Sequence, residues 1–321
     1  MSLANIILGL LYDRKAGYFS LRELAAASGK TPAAVKAALS LLAQQGLELE
    51  ESPAHGIRLA HPVALNSFLI ERNLGTTRVG RNVICFGEVA STNDVAMDSA
   101  RQAGSDGLVV LADAQRLGRG RLGRRWLSPA RANILMSVLL VERGPGLPHE
   151  ALTIAAGLAV AEGIEHACKL ACQLKWPNDV LLDGQKVSGI LVELGSGSGG
   201  RAVVIGIGVN VNAAPPRDQV DQPAVSLADR LGESVDRMEV IRSILRRMDR
   251  RLELLADGQL DELRGEWLRR CSMINQRLAV RSAGKRYTGR VLDVSPLEGL
   301  ILLDDHGRRI HLPAASSSIE T

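Results

Sequence analysis

The sequence predicts an α+β protein with three domains. Helix-capping signals are dense in residues 1–66, strands and helices alternate over 67–271, and hydrophobic residues recur with a period of two over 272–321. A length of 321 residues is compatible with two or three domains of ordinary size. We therefore expect a helical N-terminal domain, a central mixed α/β domain and a small C-terminal domain of strands.

The composition is typical of a globular protein whose cores are aliphatic. Hydrophobic residues make up 46% and charged residues 23% of the chain, but aromatic residues only 3%. The net charge of +4 permits an anionic partner without requiring one. No apolar run reaches the roughly 18 residues that cross a bilayer, so no membrane segment is predicted. The four cysteines form no CxxC pair and no metal-ligand cluster with histidine, which favours reduced thiols, no bound metal and a cytoplasmic location.

Residues 1–66 are predicted to form a winged helix-turn-helix. A capping box at Ser20–Glu23 opens one helix, and Thr31 followed by Pro32 opens the next. Two strands, at 47–50 and 56–59, would then form the wing.

The second of these helices would present Thr31, Lys36 and Ser40 to DNA. Up to Asn66 the chain has only six Lys and Arg against five Asp and Glu, which gives little attraction to phosphate. A module used only for packing or dimerisation is therefore the alternative.

After a polar hinge near residues 70–80, strands are expected to alternate with helices. Ser91-Thr92-Asn93 would stand at the start of a helix over 94–103, where N-capping alone explains such residues. The other predicted elements are strands at 83–86, 108–112, 133–141, 180–182, 186–194 and 202–211, and helices at 150–171, 238–255 and 260–270. A proline-glycine turn at 144–148 and a flexible tip at 195–200 are also expected.

A basic glycine-rich loop, Gly118–Trp126, follows the strand at 108–112. It contains four arginines and three glycines. Arginine suits carboxylate and phosphate, and glycine lets the backbone approach a ligand closely. A solvated basic turn and an RNA-binding tract are the alternatives. For an anion-binding loop we expect mobility without ligand and order with it.

From residue 272 the predicted elements are all strands. They lie at 277–281, 285–294, 299–304 and 308–312, linked by turns that include Pro296. This pattern predicts a small β-barrel of about 45 residues, too small to be stable without a neighbour.

Five motifs occur in the order found in biotin–protein ligases, which the chain therefore resembles. They are Ser91-Thr-Asn93; Gln115 with Gly118-Arg-Gly-Arg-Leu-Gly-Arg124 and Trp126; Lys175-Trp-Pro-Asn-Asp179 with Lys186; Gly189-Ile-Leu-Val-Glu193; and Gly206-Ile-Gly-Val-Asn210. The flanking domains resemble the bifunctional form, which is ligase and biotin-operon repressor in one chain. The resemblance implies a central ligase domain of the biotin/lipoate type and an SH3-like C-terminal barrel.

The reaction implied by this resemblance has two steps. Biotin and Mg-ATP give biotinyl-5′-adenylate, and a lysine of a biotin carboxyl carrier protein of acetyl-CoA carboxylase then takes the biotin. The resemblance also implies repression at operator DNA by a ligand-promoted homodimer. Fixed cations would hold the mutually repelling carboxylate and triphosphate together, so an enzyme nucleophile is unnecessary.

Site residues follow from the matched motifs. Lys175, Arg121 and Arg119 are implied as catalytic. Those implied to bind biotin are Ser91, Thr92, Asn93, Gln115, Arg119, Gly120, Arg121, Lys175, Trp126 and Gly189. Those implied to bind ATP or the adenylate are Arg119, Arg121, Arg124, Lys175, Asn178, Lys186 and Asn210.

Three points stay open at this level. Asp179 could hold Mg²⁺ or orient Lys175, and orientation is favoured. The run Gln222–Ser226 lacks the tryptophan that packs on adenine in some members. Two alternative functions remain: a lipoate–protein ligase, and a winged-helix transcription factor that senses a small anion without catalysis. Competition between biotin and lipoate would test the first, and an assay of ATP turnover would test the second.

Overall fold

A computed structural model of the chain describes residues 1–15, 17–142, 146–197, 200–295 and 299–320. The chain forms two compact units, Met1–Arg72 and Asn73–Thr321. The division into three domains at 66 and 271 remains a prediction.

The first unit contains helices joined by tight turns and one short hairpin. Its elements are α1 (Leu3–Asp13), α2 (Leu21–Ser28), α3 (Pro32–Gln44), β1 (Leu49–Ser52), β2 (Gly56–Leu59) and α4 (Ser67–Glu71). The capping box of α2 forms with Ser20, and Thr31 caps α3. Gly29 takes a positive φ of 65° in the turn between these helices, a conformation that glycine adopts without strain. The capping signals of the sequence therefore set both helix starts.

The second unit is built on a large mixed sheet in the order β3-β4-β5-β9-β8-β7-β6. Its strands are β3 (Asn82–Val89), β4 (Leu108–Gln115), β5 (Ile134–Glu142), β6 (Gln173–Lys175), β7 (Asp179–Leu182), β8 (Gln185–Gly197) and β9 (Gly200–Val209). Its helices are α5 (Thr92–Ser99), α6 (His149–Cys168), α7 (Leu227–Leu231), α8 (Arg237–Ala256) and α9 (Leu260–Arg270). Only β3 and β4 pair in parallel; the other neighbours are antiparallel.

Helices cover this sheet and bury its aliphatic strands. Ala96 and Ala100 at α5 pack in one cluster with Val110, Leu139 and Val204 of the sheet. The apolar helix α6 packs against β6–β9, and α8 and α9 pack against α6. Among the described helices, α6 alone is long and apolar enough to cross a bilayer, but 72% of its apolar window is buried inside the protein. Helix α6 is therefore a core helix.

A second sheet, here called the C-terminal sheet, follows α9 in the order β13-β12-β11-β10-β14. Its strands are β10 (Arg277–Ser282), β11 (Lys285–Ser295), β12 (Gly299–Leu303), β13 (Arg309–Leu312) and β14 (Ser317–Glu320). All of its neighbours are antiparallel, as a period of two with short turns predicts.

Several sequence-based boundaries were wrong. The helix predicted over 94–103 is α5, which starts at Thr92 because Ser91 is its N-cap and ends at Ser99, before the chain turns towards β4. The hinge predicted near 70–80 starts too early, since α4 runs to Glu71. Strands β8 and β9 extend into the tip predicted at 195–200. Residues 198–199, 143–145 and 296–298, where the rest of that tip and two predicted turns fall, lie outside the described residues.

Candidate active site

One cavity of about 560 Å³ brings together the predicted site residues of the second unit. Every residue predicted to bind biotin, ATP or the adenylate lines it: Ser91, Thr92, Asn93, Gln115, Arg119, Gly120, Arg121, Arg124, Trp126, Lys175, Asn178, Lys186, Gly189 and Asn210. This volume is in the range of small-molecule sites. Motifs up to about 120 residues apart in sequence thus share one space.

One end of the cavity is a buried hydrogen-bond network at the start of α5. Ser91 caps the helix by accepting from the backbone N–H of Asn93. Thr92 donates to Gln115 Oε1 through its backbone N–H at 2.7 Å and through its hydroxyl at 3.0 Å. These bonds occupy the amide oxygen of Gln115, so its N–H donors are left for a ligand.

Ser137 and Glu193 complete this network, and neither was given a role from the sequence. The Ser137 hydroxyl lies 2.6 Å from Asn93 Oδ1 and 2.8 Å from Thr92 Oγ1. Asn93 Nδ2 donates to Glu193 Oε2 at 2.6 Å. The amide of Asn93 is therefore fixed from both sides before any ligand arrives.

Glycines make the floor of the cavity. Gly189 on β8 lies directly opposite Gly208 on β9. A Cβ on Gly208 would stand 2.3 Å from the indole of Trp126, and one on Gly206 would stand 2.4 Å from Asn93 Oδ1. Both positions therefore need glycine because a side chain already fills the space above them.

Arg119, in the basic loop, is bound by two carboxylates. Its guanidinium contacts Asp94 at 2.6 and 2.9 Å and Glu193 at 3.2 Å. The hydrogen bonds that Arg119 donates to Asp94, together with those to Glu193, raise the pKa of Arg119. This geometry joins the loop to α5 and to the Asn93 network.

Arg121 and Arg124 have different surroundings. Arg121 Nη2 donates to the carbonyl of Ala314 and, at 3.5 Å, to that of Ser317, both at the edge of the C-terminal sheet. Burial lowers the pKa of Arg121, while Asp179 raises it and Arg124 lowers it. Arg124 is more than half exposed and lies 3.4 Å from Asp221. Arg124 is therefore the more accessible of the two cations.

Lys175 lies in a polar chain at the other end of the cavity. Its ammonium donates to Gln222 Oε1 at 2.9 Å, and Gln222 Nε2 donates to Asp179 Oδ2 at 2.7 Å. Asp179 is also paired with Lys186 at 2.6 Å. Burial lowers the pKa of Lys175; Asp179 opposes this, whereas Lys186 and Arg124 lower it further. Gln222 is a site residue that the motifs did not indicate.

Two asparagines form parts of the wall. Asn178 donates from Nδ2 to the carbonyl of Ile190 at 2.7 Å, so it ties the β6–β7 turn to β8. Asn210 is 1% exposed and donates to the carbonyl of Val225 at 3.3 Å. Its Oδ1 has no partner among the described residues and is available as an acceptor.

The residues predicted to contact DNA lie in the first unit. Thr31, Lys36 and Ser40 are all exposed on or next to α3. The hydroxyl of Thr31 accepts from Ala34 N as the helix cap, and that of Ser40 donates to the carbonyl of Lys36. Of these three residues, Lys36 is the one whose side chain carries a positive charge.

Comparison with known proteins identifies the family. Residues 86–210 match the biotin/lipoate A/B protein ligase family. Over 291 residues the chain is 32% identical to the bifunctional ligase/repressor BirA of Bacillus subtilis, a match that covers 89% of each protein. The chain belongs to the biotin–protein ligase family.

Other relatives agree with this membership. The ligase is 34% identical to the biotin–[acetyl-CoA-carboxylase] ligase of Mycobacterium tuberculosis, covering 77% of this chain and 94% of that one. It is similar, with a TM-score of 0.65 and 30% identity, to the structure of an Aquifex aeolicus biotin protein ligase in complex with biotin and ATP, covering 74% of this chain and 98% of that one. The prediction of a biotin–protein ligase is confirmed.

Proposed function

We propose that the cavity is the site of both ligase steps: formation of biotinyl-5′-adenylate from biotin and Mg-ATP, and transfer of biotin to a lysine of a biotin carboxyl carrier protein. One observation carries this assignment: a buried polar network and a group of cations line the same cavity. The neutral ureido ring of biotin needs paired donors and acceptors, and the anionic groups need cations.

In this arrangement the network around Thr92, Asn93 and Gln115 binds the ureido ring. Lys175 bridges the biotin carboxylate and the α-phosphate, which reduces their repulsion and stabilises the charge that develops during attack. Arg119 and Arg121 hold the basic loop over the adenylate, and Arg124 contacts phosphate. The unpartnered Oδ1 of Asn210 supports a role as acceptor for an amine of the adenine base.

Mg²⁺ enters this site bound to ATP, as part of the substrate. The described residues contain no group of three or more acidic, histidine or cysteine side chains suited to a metal. Asp179 already accepts from Gln222 and pairs with Lys186. The contact with Gln222, which itself accepts from Lys175, supports a role of Asp179 in orienting Lys175 through Gln222.

Incubation with biotin, Mg-ATP and an apo carrier domain tests the function. We expect biotin-dependent pyrophosphate release and labelling of the carrier lysine. Absence of both would contradict ligase activity. Labelling with lipoate that biotin fails to suppress would instead favour a lipoate–protein ligase, and tight biotin binding without ATP turnover would favour a sensor.

Glu193→Gln should raise the KM for biotin about tenfold, with a smaller effect on kcat. Glutamine can still accept from Asn93, but the charge that holds Arg119 is lost, and a hydrogen bond to a charged group is worth about 1.5–3 kcal/mol. Steady-state kinetics with varied biotin measure this. Glu88→Gln removes an exposed surface partner of Arg116 and should change neither constant. Equal effects of both changes would exclude a specific role for Glu193.

The first unit supports a second activity, repression of transcription. We propose that α2 and α3 form a helix-turn-helix with β1 and β2 as its wing, that the C-terminal sheet is an SH3-like barrel, and that the protein works in the cytoplasm. Biotinyl-adenylate would promote a homodimer that places two α3 helices on a palindromic operator. Sedimentation with and without biotin and ATP tests dimerisation; a monomer in both conditions would contradict it.

Lys36→Ala should weaken operator binding and reduce its dependence on salt, because one exposed cation per protomer is lost. Gel-shift titration in biotin and ATP, using DNA upstream of the protein's own coding sequence, measures this at several salt concentrations. The ligase rate should not change. Wild-type protein that binds this DNA no better than unrelated DNA would contradict the repressor role at that locus.

A further inference from the structure

Lys175 and Asp179 face each other but are not paired. They are directly opposite in the register of β6 and β7. Opposite charges at such positions attract, and partial burial strengthens the attraction. The ammonium nevertheless bonds to Gln222 Oε1 at 2.9 Å, and the carboxylate bonds to Gln222 Nε2 at 2.7 Å. The amide of Gln222 thus lies between the two charges.

The backbone next to Gln222 fixes the position of this amide. The N–H of Lys186 donates to the carbonyl of Pro223 at 2.9 Å, and the N–H of Val225 donates to the carbonyl of Lys186 at 3.0 Å. The segment that follows Gln222 therefore runs beside the start of β8. The carboxylate of Asp179 forms an ion pair with Lys186 at 2.6 Å.

We propose that Gln222 is a positioning residue that separates Lys175 from Asp179 and so keeps the Lys175 ammonium available to the substrate anion. This inference rests on the role of Lys175 given under Proposed function. Gln222 provides a neutral oxygen to the cation and an N–H to the carboxylate. An incoming carboxylate or phosphate oxygen displaces the neutral oxygen because the charge-assisted hydrogen bond is stronger. A direct ion pair with Asp179 would have to be broken first.

Gln222→Ala should lower the rate of biotin-dependent pyrophosphate exchange about tenfold. Without the amide, Lys175 turns to Asp179, and this pairing raises the pKa of Lys175. The Lys175 ammonium faces Asp179, Lys186 and Arg124, and its deprotonation sets the high-pH limb of the kcat/KM profile. That limb therefore moves to higher pH in the variant. Gln222→Met, which keeps the length without the polar atoms, should do the same. The Tm of both variants should match the wild type.

The control is Asp218→Ala, an exposed residue of the same loop that does not line the cavity, and it should leave rate and pH profile unchanged. Adding Asp179→Asn to Gln222→Ala removes the competing charge, so the double variant should be faster than Gln222→Ala alone. A pH profile that does not move, or losses that simply add, would overturn the proposal. If Lys175→Ala is impaired and Gln222→Ala is not, this proposal alone fails; if neither is impaired, the assignment of Lys175 fails as well.

Discussion

Lys175→Ala should lower the rate of biotinyl-adenylate formation by about 10²–10³-fold. The lost ammonium is the cation that bridges two repelling anions, and Lys186, which also lines the cavity, is already paired with Asp179. Burial lowers the pKa of Lys175 below the usual 10.5. Because the charged form is the active one, kcat/KM should fall as the pH rises through that lowered pKa.

Biotin-dependent pyrophosphate exchange measures both effects. Lys285→Ala, which removes an exposed lysine at the start of β11, should leave the rate and the pH profile unchanged. Lys175→Arg keeps a charge but changes its shape, so we expect it to recover little of the rate. An alanine variant as fast as the wild type would remove Lys175 from the mechanism.

Gly206→Ala should raise the KM and the Kd for biotin by about 10- to 100-fold. The new methyl group would lie 2.4 Å from Asn93 Oδ1, and Asn93 cannot withdraw without breaking its bonds to Ser137 and Glu193. Overpacking of this kind costs about 1–3 kcal/mol. Here it would displace the network that binds the ureido ring, so biotin would bind more weakly.

Isothermal titration with biotin measures the change in affinity. Gly87→Ala is the matched control, since a Cβ at Gly87 on β3 would meet no atom within 4 Å. It should bind biotin as the wild type does. Equal affinity of Gly206→Ala and Gly87→Ala would show that biotin does not depend on the position of Asn93.

The sequence indicated which residues line the cavity far better than it indicated the contacts between them. Ser91, Lys175 and Gly206 belong to local motifs that can be read without a structure. Gln222 was noted only as part of a run without tryptophan, and its importance comes from a hydrogen bond to a strand 47 residues away. Ser137 is an ordinary small residue inside a buried strand, and no local pattern distinguishes it.

The long elements were predicted well and the short ones poorly. The capping box gave the start of α2, and periodicity gave both bounds of α9. Helices α4 and α7 contain five residues each, too few to show a period, and both were missed. Strand β14 was missed too, because Ser317–Glu320 pairs along β10 without an alternating pattern of its own. Such elements depend on tertiary contacts.

The contact between Arg121 and the C-terminal sheet has a consequence for mutagenesis. Arg121 is held there by the main-chain carbonyls of Ala314 and Ser317. Every amino acid has such a carbonyl, so replacing these side chains one at a time preserves both acceptors. Alanine scanning would therefore leave both hydrogen bonds to Arg121 in place, and only a change that moves the backbone, such as an inserted or deleted residue, would reveal what they contribute to the active site.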